Sequence, residues 1–304
     1  MKTKRLLVCA YLFLVAGLTT VLMACGGGGG GGTNPRISYT GNTTQALIND
    51  GDVAVGFAED TWHFVDLGRV ILQQMEGVLE GSTIEIPSNI SETIQAPCGG
   101  AAIFDGSVTG AGAMTASIHF ENYCVDQDIL MSGSADFTGT VDLGTNEVVE
   151  FNLSLNSSTF EISGISIAID GTFSADWESM QVTMSYVLKF NNPNTNNFET
   201  YWLDVGSIQL GDEGGPYTDI TSINGRYYDY EYGYVDISVG DIIRILDVDV
   251  GPSSGSLILT GVKGTEGQGT KALLTFLNST EFRVDADTDG DGLYNDFFSG
   301  TQLW

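Results

Sequence analysis

Apolar residues alternate with more polar residues over most of the chain after residue 100, and this pattern limits the fold more than any other feature. The clearest run places Val182, Met184, Tyr186, Leu188 and Phe190 at every second position. Successive side chains of a β-strand point to opposite faces of its sheet. The alternation therefore predicts antiparallel strands that bury one face and expose the other.

The same period recurs throughout residues 101–284, where Thr, Ser, Gly, Asn and Asp separate the runs. Its other members are Met114, Ala116, Ile118 and Phe120; Phe151, Leu153 and Leu155; Ile165, Ile167 and Ile169; and Val235, Ile237 and Val239. About ten to fourteen strands of ordinary length fit this region. So many strands must curl, close or fold over to bury their apolar faces. We predict a mainly β domain, an antiparallel meander that forms a half-barrel, a barrel or a sandwich.

A small helical segment and a loop are predicted before this domain, within residues 44–100. Apolar residues from Thr61 to Glu80 are spaced by three and four, which is the period of a helix; they are Phe64, Leu67, Ile71, Met75 and Val78. The stretch Thr44–Glu59 suggests a shorter helix that Gly51 and Gly56 weaken. Residues 81–100 are rich in Ser, Thr and Asn and contain Pro, and they indicate a loop.

The N-terminus has the layout of a bacterial export signal. Three basic residues precede an apolar run from Leu6 to Leu18, and the segment ends Leu-Met-Ala-Cys25. This ending resembles the lipobox of bacterial lipoproteins, which implies cleavage after residue 24 and acylation of Cys25. An ordinary signal peptide with a chance cysteine is the alternative. Residues 25–43, which include Gly26–Gly32, would then form a flexible tether.

The resemblance also implies a location in the cell envelope. Gly26, where an Asp would hold an enteric lipoprotein at the inner membrane, favours the outer membrane. The expected partner is the membrane itself, reached through the N-terminal lipid. No other apolar run approaches the length of a transmembrane helix.

The charge of the chain excludes one class of partner. Residues 1–24 hold three of the 11 basic residues and none of the 39 acidic residues, so the processed chain has a formal charge of 8 − 39 = −31. Such a chain repels nucleic acid. Bound divalent cations would stabilise the folded chain, because they reduce the repulsion between its acidic groups. Adaptation to a salty habitat explains the acidity equally well.

Cys98 and Cys124 are the cysteines that remain after Cys25 is acylated. A pair of cysteines in an exported protein predicts one disulfide. Closing this loop of roughly 27 residues would stabilise the fold by about 3–4 kcal/mol. A free or metal-binding pair is the alternative, although no Cys-x-x-Cys spacing supports it.

Residues 285–304 contain a candidate calcium loop, DADTDGDGLYND. Counted from Asp287, aspartates occupy positions 1, 3 and 5 (Asp287, Asp289 and Asp291), Gly292 occupies position 6, Leu293 offers its carbonyl at position 7 and Asn295 stands at position 9. The pattern resembles EF-hand-like and thrombospondin type 3-like loops, and the resemblance implies bound calcium. It lacks an acid at position 12, which is Phe298.

A second register begins at Asp285. It puts Asp287 and Asp289 at positions 3 and 5, Gly290 at position 6 and the acid Asp296 at position 12. Its defect is Gly292 at position 8, where such loops place an aliphatic residue. Calcium affinity at the weak, extracellular end, about 10⁻⁴ to 10⁻³ M, is expected for either register. A solvated acidic tail is the alternative.

Tyr228, Tyr230, Tyr232 and Tyr234 alternate and are expected to line one face of a strand. They could stack against sugar rings, or they could pack against aromatic residues of neighbouring strands.

Catalytic patterns are weak, and we predict no enzyme. Gly251–Gly255 matches G-x-S-x-G, but a nucleophile elbow needs a helix after the turn and strands flank this one. The processed chain has only two histidines, His63 and His119.

The whole layout resembles uncharacterised bacterial lipoproteins that consist of a signal, a tether, a β-rich body and a terminal acidic loop. That resemblance is one of layout and implies a location more than an activity. Our first hypothesis is a non-enzymatic surface or periplasmic scaffold, structural or for interaction, with calcium in its C-terminal loop; its protein or glycan partner stays open. A glycan-binding module that uses Tyr228–Tyr234 and a carrier of apolar ligands are the alternatives.

Overall fold

The computed structural model describes residues 36–80, 88–96, 98–126, 129–145, 147–162, 165–192, 197–211, 217–246 and 251–304. The predicted signal, Cys25 and the glycine run lie outside the described residues. The described chain contains a 30-residue helix, α1 (Gly51–Glu80), and one antiparallel sheet of 15 strands. The predicted mainly β fold is confirmed. Within the described residues no helix is long and apolar enough to cross a membrane.

The strands follow one another along the chain with short connections. They are β1 (Ser88–Gln95), β2 (Ala101–Val108), β3 (Ala113–Asp126), β4 (Ile129–Val141), β5 (Val148–Ile162), β6 (Ile165–Asp176), β7 (Gln181–Asn192), β8 (Asn197–Leu210), β9 (Tyr217–Asp229), β10 (Gly233–Leu246), β11 (Pro252–Lys263), β12 (Gly269–Asn278), β13 (Glu281–Asp287), β14 (Phe297–Phe298) and β15 (Gln302–Leu303).

The sheet is an open meander. Each strand from β1 to β13 pairs with the next one, β14 and β15 both pair with β13, and the sheet does not close into a barrel. Connections after odd-numbered strands up to β13 therefore lie at one end of the sheet, which we call the loop end. It carries the turns after β1, β9 and β11 and the acidic loop after β13.

Helix α1 lies on part of the apolar face of this sheet. It contacts strands β6, β8, β11, β12 and β13. Trp62 packs edge-on against Phe276 at 4.8 Å, and Phe64 packs against Tyr227 at 5.1 Å between ring centroids. Gly68 allows close approach, because a Cβ there would lie 2.4 Å from the sulfur of Met184. The helix and the inward side chains of the strands form one core.

The start of α1 differs from the prediction. Residues 44–50 are not helical, and the helix runs unbroken from Gly51 through the predicted segment Thr61–Glu80. Asp50 sets this start, since its carboxylate accepts a hydrogen bond from the amide of Val53 at 2.9 Å. Residues 44–46 bond instead to the sheet: Thr44 accepts from the amide of Tyr234, and Ala46 accepts from that of Val262.

Two other predicted boundaries are wrong. Residues 88–95 of the expected loop 81–100 form β1, because every residue from Ser88 to Gln95 pairs with β2 despite the polar composition of the segment. The expected C-terminal tail from residue 285 contains the end of β13 and the strands β14 and β15.

The predicted tether is also shorter than expected on its C-terminal side. The amide of Ile37 donates to Asp170 at 3.0 Å, and the amide of Thr40 donates to the hydroxyl of Thr200 at 2.8 Å. Tyr39 packs against Trp202 and Tyr228, with ring centroids 6.1 and 5.6 Å away. Residues 36–43 are therefore part of the folded domain.

A disulfide joins Cys98 and Cys124, whose Cα atoms lie 5.3 Å apart. It links the turn between β1 and β2 to the end of β3. The covalent bond thus lies at the loop end of the sheet.

Candidate functional site

The acidic loop 288–296 is a folded connection between β13 and β14. After the loop the chain returns antiparallel to β13, with Phe297 opposite Ala286 and Phe298 opposite Asp285. The amide of Asp296 also donates to the carbonyl of Ala286 at 3.2 Å. This pairing holds both ends of the loop in place.

Asp287 organises the loop from within. It is fully buried, and its Oδ1 accepts hydrogen bonds from the amides of Gly290 (2.7 Å) and Asp291 (3.2 Å). Its Oδ2 accepts from the amide of Gly292 at 2.9 Å. Gly290 and Gly292 have φ angles of +78° and +91°, a region that side chains disfavour. The two glycines allow the backbone to fold around one carboxylate.

Asp296 closes the loop from its other side. Its Oδ2 accepts from the amide and hydroxyl of Thr288 and from the amide of Asp289, at 2.7, 3.1 and 3.1 Å. These bonds lower the pKa of Asp296. The pKa of Asp289 is raised, first by desolvation and then by the charges of Asp296, Asp291 and Asp287. Like charges are therefore held together at Asp289.

Three of the predicted metal ligands come together. Asp287, Asp289 and Asp296 each bring one carboxylate oxygen within 4.8 Å of the others. The group combines Asp287 and Asp289, common to both predicted registers, with Asp296, which belongs to the register from Asp285.

The other predicted carboxylates lie outside this group. Asp285 faces Arg283, whose guanidinium lies 2.7 Å from its Oδ2. Asp291 accepts a hydrogen bond from the amide of Leu293 at 2.7 Å. The predicted ligands Leu293 and Asn295 are in the loop, where both are exposed.

The loop also rests on a neighbouring turn, residues 264–268 between β11 and β12. The amide of Gln268 donates to the carbonyl of Gly290 at 3.1 Å, and that of Glu266 donates to the carbonyl of Asp289 at 2.9 Å. On the other side Phe297 abuts the start of α1, where a Cβ on Gly51 would lie 2.2 Å from its ring. The loop thus joins two strands, a turn and the helix.

The donor set fits a hard cation. Carboxylate oxygens are the ligands that calcium and magnesium prefer, and calcium takes six to eight oxygens at 2.3–2.6 Å. The group contains no sulfur or imidazole, which disfavours softer metals. Three carboxylates with nearby carbonyl oxygens and water could complete a calcium shell.

The prediction that the four alternating tyrosines line one face of a strand is wrong. Tyr228 ends β9 and Tyr234 begins β10, while Tyr230 and Tyr232 lie in the turn between them. Asp229 forms that turn, because its Oδ1 accepts from the amides of Glu231 (2.8 Å) and Tyr232 (2.9 Å). The four rings do not share one strand face.

Cross-strand packing accounts for two of these rings. Tyr228 lies opposite Tyr234 in the sheet, with ring centroids 5.2 Å apart. Tyr228 also stacks on Trp202 at 4.4 Å and is 7 % exposed. Tyr232 is 49 % exposed.

A group of acidic and aromatic residues that the sequence does not reveal lies where α1 meets the start of β8 and the end of β9. Asp60, Glu199, Tyr201, Tyr227 and Asp229 are electrostatically coupled there, and we call them the aromatic–acidic cluster. Burial raises the pKa of Asp60 to about 7, and the charges of Asp229 and Glu59 add to it. No sequence motif marks these residues, because the chain has 39 acidic residues and only the fold brings these ones together.

The candidate catalytic residues do not form a site. Burial lowers the pKa of His63, and its ring packs against Trp304 at 5.8 Å. His119 is exposed on β3, 3.9 Å from Glu121. Residues 252–255 of the G-x-S-x-G match are the beginning of β11.

Comparison of the chain with models of known families, with curated proteins and with solved structures finds no match.

Proposed function

We propose that this protein is a lipid-anchored, non-enzymatic β-scaffold of a bacterial cell envelope, stabilised by calcium in its C-terminal loop. The observation that carries the calcium part is the convergence of Asp287, Asp289 and Asp296 within 4.8 Å. The sequence around Cys25 supports the anchor.

Calcium would act on stability by relieving repulsion. Three carboxylates in this group repel one another; desolvation raises the pKa of Asp289, and the charges of Asp296, Asp291 and Asp287 raise it further. A divalent cation that binds only the folded loop stabilises the fold by mass action. At about 10 mM calcium and the expected weak affinity, the gain would be about 1–3 kcal/mol.

The position of the loop explains why this gain would reach the whole domain. The loop holds the turn between β11 and β12 through Gln268 and Glu266, and Phe297 of β14, directly after the loop, abuts α1 at Gly51. Helix α1 in turn covers the sheet from β13 to β6. Fixing the loop therefore fixes the junction of helix and sheet, which suits a scaffold.

Thermal melts with calcium and with chelator test the metal site. We expect calcium to raise the midpoint of the wild type and to leave that of Asp289→Ala almost unchanged. Asp291→Ala is the matched control, because Asp291 lies in the same loop but outside the group of three carboxylates. An unchanged wild-type midpoint at about 10 mM calcium would rule out the site.

Detergent partition of the exported protein tests the anchor separately. The wild type is expected in the detergent phase and Cys25→Ser in the aqueous phase, since acyl chains supply the membrane affinity. Equal partition of both forms would exclude acylation at Cys25.

The two alternative functions gain less support. Tyr228 is engaged by Trp202, Tyr39 and Tyr234 and offers little open surface for a sugar. Where a carrier would bind its ligand, α1 lies on the apolar face at β6, β8 and β11–β13 and packs into one core with the strands.

A further inference from the structure

The aromatic–acidic cluster holds a buried hydroxyl group for which the described residues supply no partner. Tyr227 is fully buried, and its hydroxyl forms no hydrogen bond within the described part of the chain. The charges that act on it are those of Asp60 and Asp229, followed by Tyr201 and Tyr39. An unpaired buried hydroxyl costs free energy, so a group that bonds to it is favoured there.

Ring contacts show where this hydroxyl group lies. The ring of Tyr227 packs against Phe57 at 6.2 Å and against Phe64 at 5.1 Å. Phe57 and Phe64 stand three residues before and four residues after Asp60, so all three share one face of α1. Tyr227 therefore lies over the helix face that carries Asp60.

The charged groups that act on Asp60 and Asp229 are acidic. Burial raises the pKa of Asp60, and the charges of Asp229 and Glu59 raise it further; burial also raises the pKa of Asp229, with further contributions from Glu231 and Glu199. Among the described residues, four arginines pair elsewhere, with Asp66, Asp236, Asp219 and Asp285. A cation from outside would compensate these charges.

The spacing of the carboxylates argues against a bare metal ion. Within the described residues, the group close enough to share one ion is that of Asp287, Asp289 and Asp296. Asp60, Glu199 and Asp229 form no such group among the described residues. Phe57 and Phe64, on the helix face of Asp60, pack against Tyr227, and Phe64 also packs against Tyr201, whose hydroxyl donates to Glu199. Aromatic faces attract alkylammonium groups.

We propose that the aromatic–acidic cluster is a binding site for a small polyamine. One ammonium group would lie between Asp60 and Asp229 and donate a hydrogen bond to the hydroxyl of Tyr227. Asp60, Asp229 and Tyr201 are partly exposed, so an amine can reach them from solvent, and the side chains that cover the buried Tyr227 hydroxyl must move to admit it. This site is separate from the calcium loop and does not depend on it.

Titration calorimetry with spermidine at about 150 mM salt tests the site, because salt at this concentration screens non-specific attraction to an acidic surface. We expect saturable binding to the wild type, about tenfold weaker binding to Asp60→Asn and several-fold weaker binding to Tyr227→Phe. Calcium and a neutral sugar are the comparison ligands and should not displace spermidine.

The control variant is Glu161→Gln, which removes the same charge from an exposed position on β5. It should bind spermidine like the wild type. Equal weakening in Asp60→Asn and Glu161→Gln, or unchanged binding in Tyr227→Phe, would overturn the site. Circular dichroism melts confirm that each variant is folded.

Discussion

At the scale of single residues, two tyrosines of one cluster are expected to respond in opposite ways to loss of their hydroxyl groups. Tyr201 donates to the Oε2 of Glu199 at 2.9 Å, whereas the hydroxyl of Tyr227 is buried without a partner among the described residues. A hydrogen bond stabilises a fold by about 1 kcal/mol, and an unpaired buried group destabilises it by about 1–3 kcal/mol.

Tyr227→Phe should therefore raise the free energy of unfolding by about 1 kcal/mol in amine-free buffer, and Tyr201→Phe should lower it by a similar amount. Urea unfolding of both variants beside the wild type gives the measurement. A loss of stability in both variants would mean that the Tyr227 hydroxyl is already satisfied.

The sequence could predict the three carboxylates that come together in the acidic loop but not the residues of the aromatic–acidic cluster, for a physical reason. Asp287, Asp289 and Asp296 lie within ten residues, so their spacing carries the information. The helix face of Asp60 meets β9 only because Phe57 and Phe64 of α1 pack on Tyr227, and no local pattern records that packing.

At the scale of elements, helix α1 depends on one residue for its start. The carboxylate of Asp50 accepts from the amide of Val53 at 2.9 Å, and the following Gly51 touches Phe297. Asp50→Ala should cost about 1 kcal/mol, the usual value of a lost N-cap. Chemical denaturation measures this loss, and Asp50→Asn, which still caps, should retain most of the stability.

The elements show where side-chain patterns suffice for prediction. The alternation around Tyr186 and the helical period around Phe64 predicted β7 and α1, because each buries one face. Segment Ser88–Gln95 was missed because its polar residues pair through the backbone, which no side-chain pattern reveals. The tyrosine run was misassigned because Asp229 forms a turn within it.

At the scale of the whole molecule, the disulfide and the acidic loop lie toward separate edges of the sheet. The disulfide joins the β1–β2 turn to β3, and the acidic loop follows β13. Distant sites contribute to stability almost additively. The variant Cys98→Ser/Cys124→Ser should lose about 3 kcal/mol and keep the full calcium-dependent shift of the wild type.

Melts of the disulfide variant with calcium and with chelator check this independence. A calcium shift that disappears together with the disulfide would show that the two edges unfold as a coupled unit.

The neighbour-to-neighbour pairing of the strands has a consequence for the order of folding. Each hairpin closes a short loop, which favours rapid pairing of each strand with the one before it. Helix α1 precedes all the strands, yet Trp62 packs on Phe276 of β12, near the other end of the chain. The helix must therefore wait for the last strands before its apolar face is covered. A chain truncated before β12 lacks Phe276, against which Trp62 packs. Complete docking of α1 therefore requires β12 to be present.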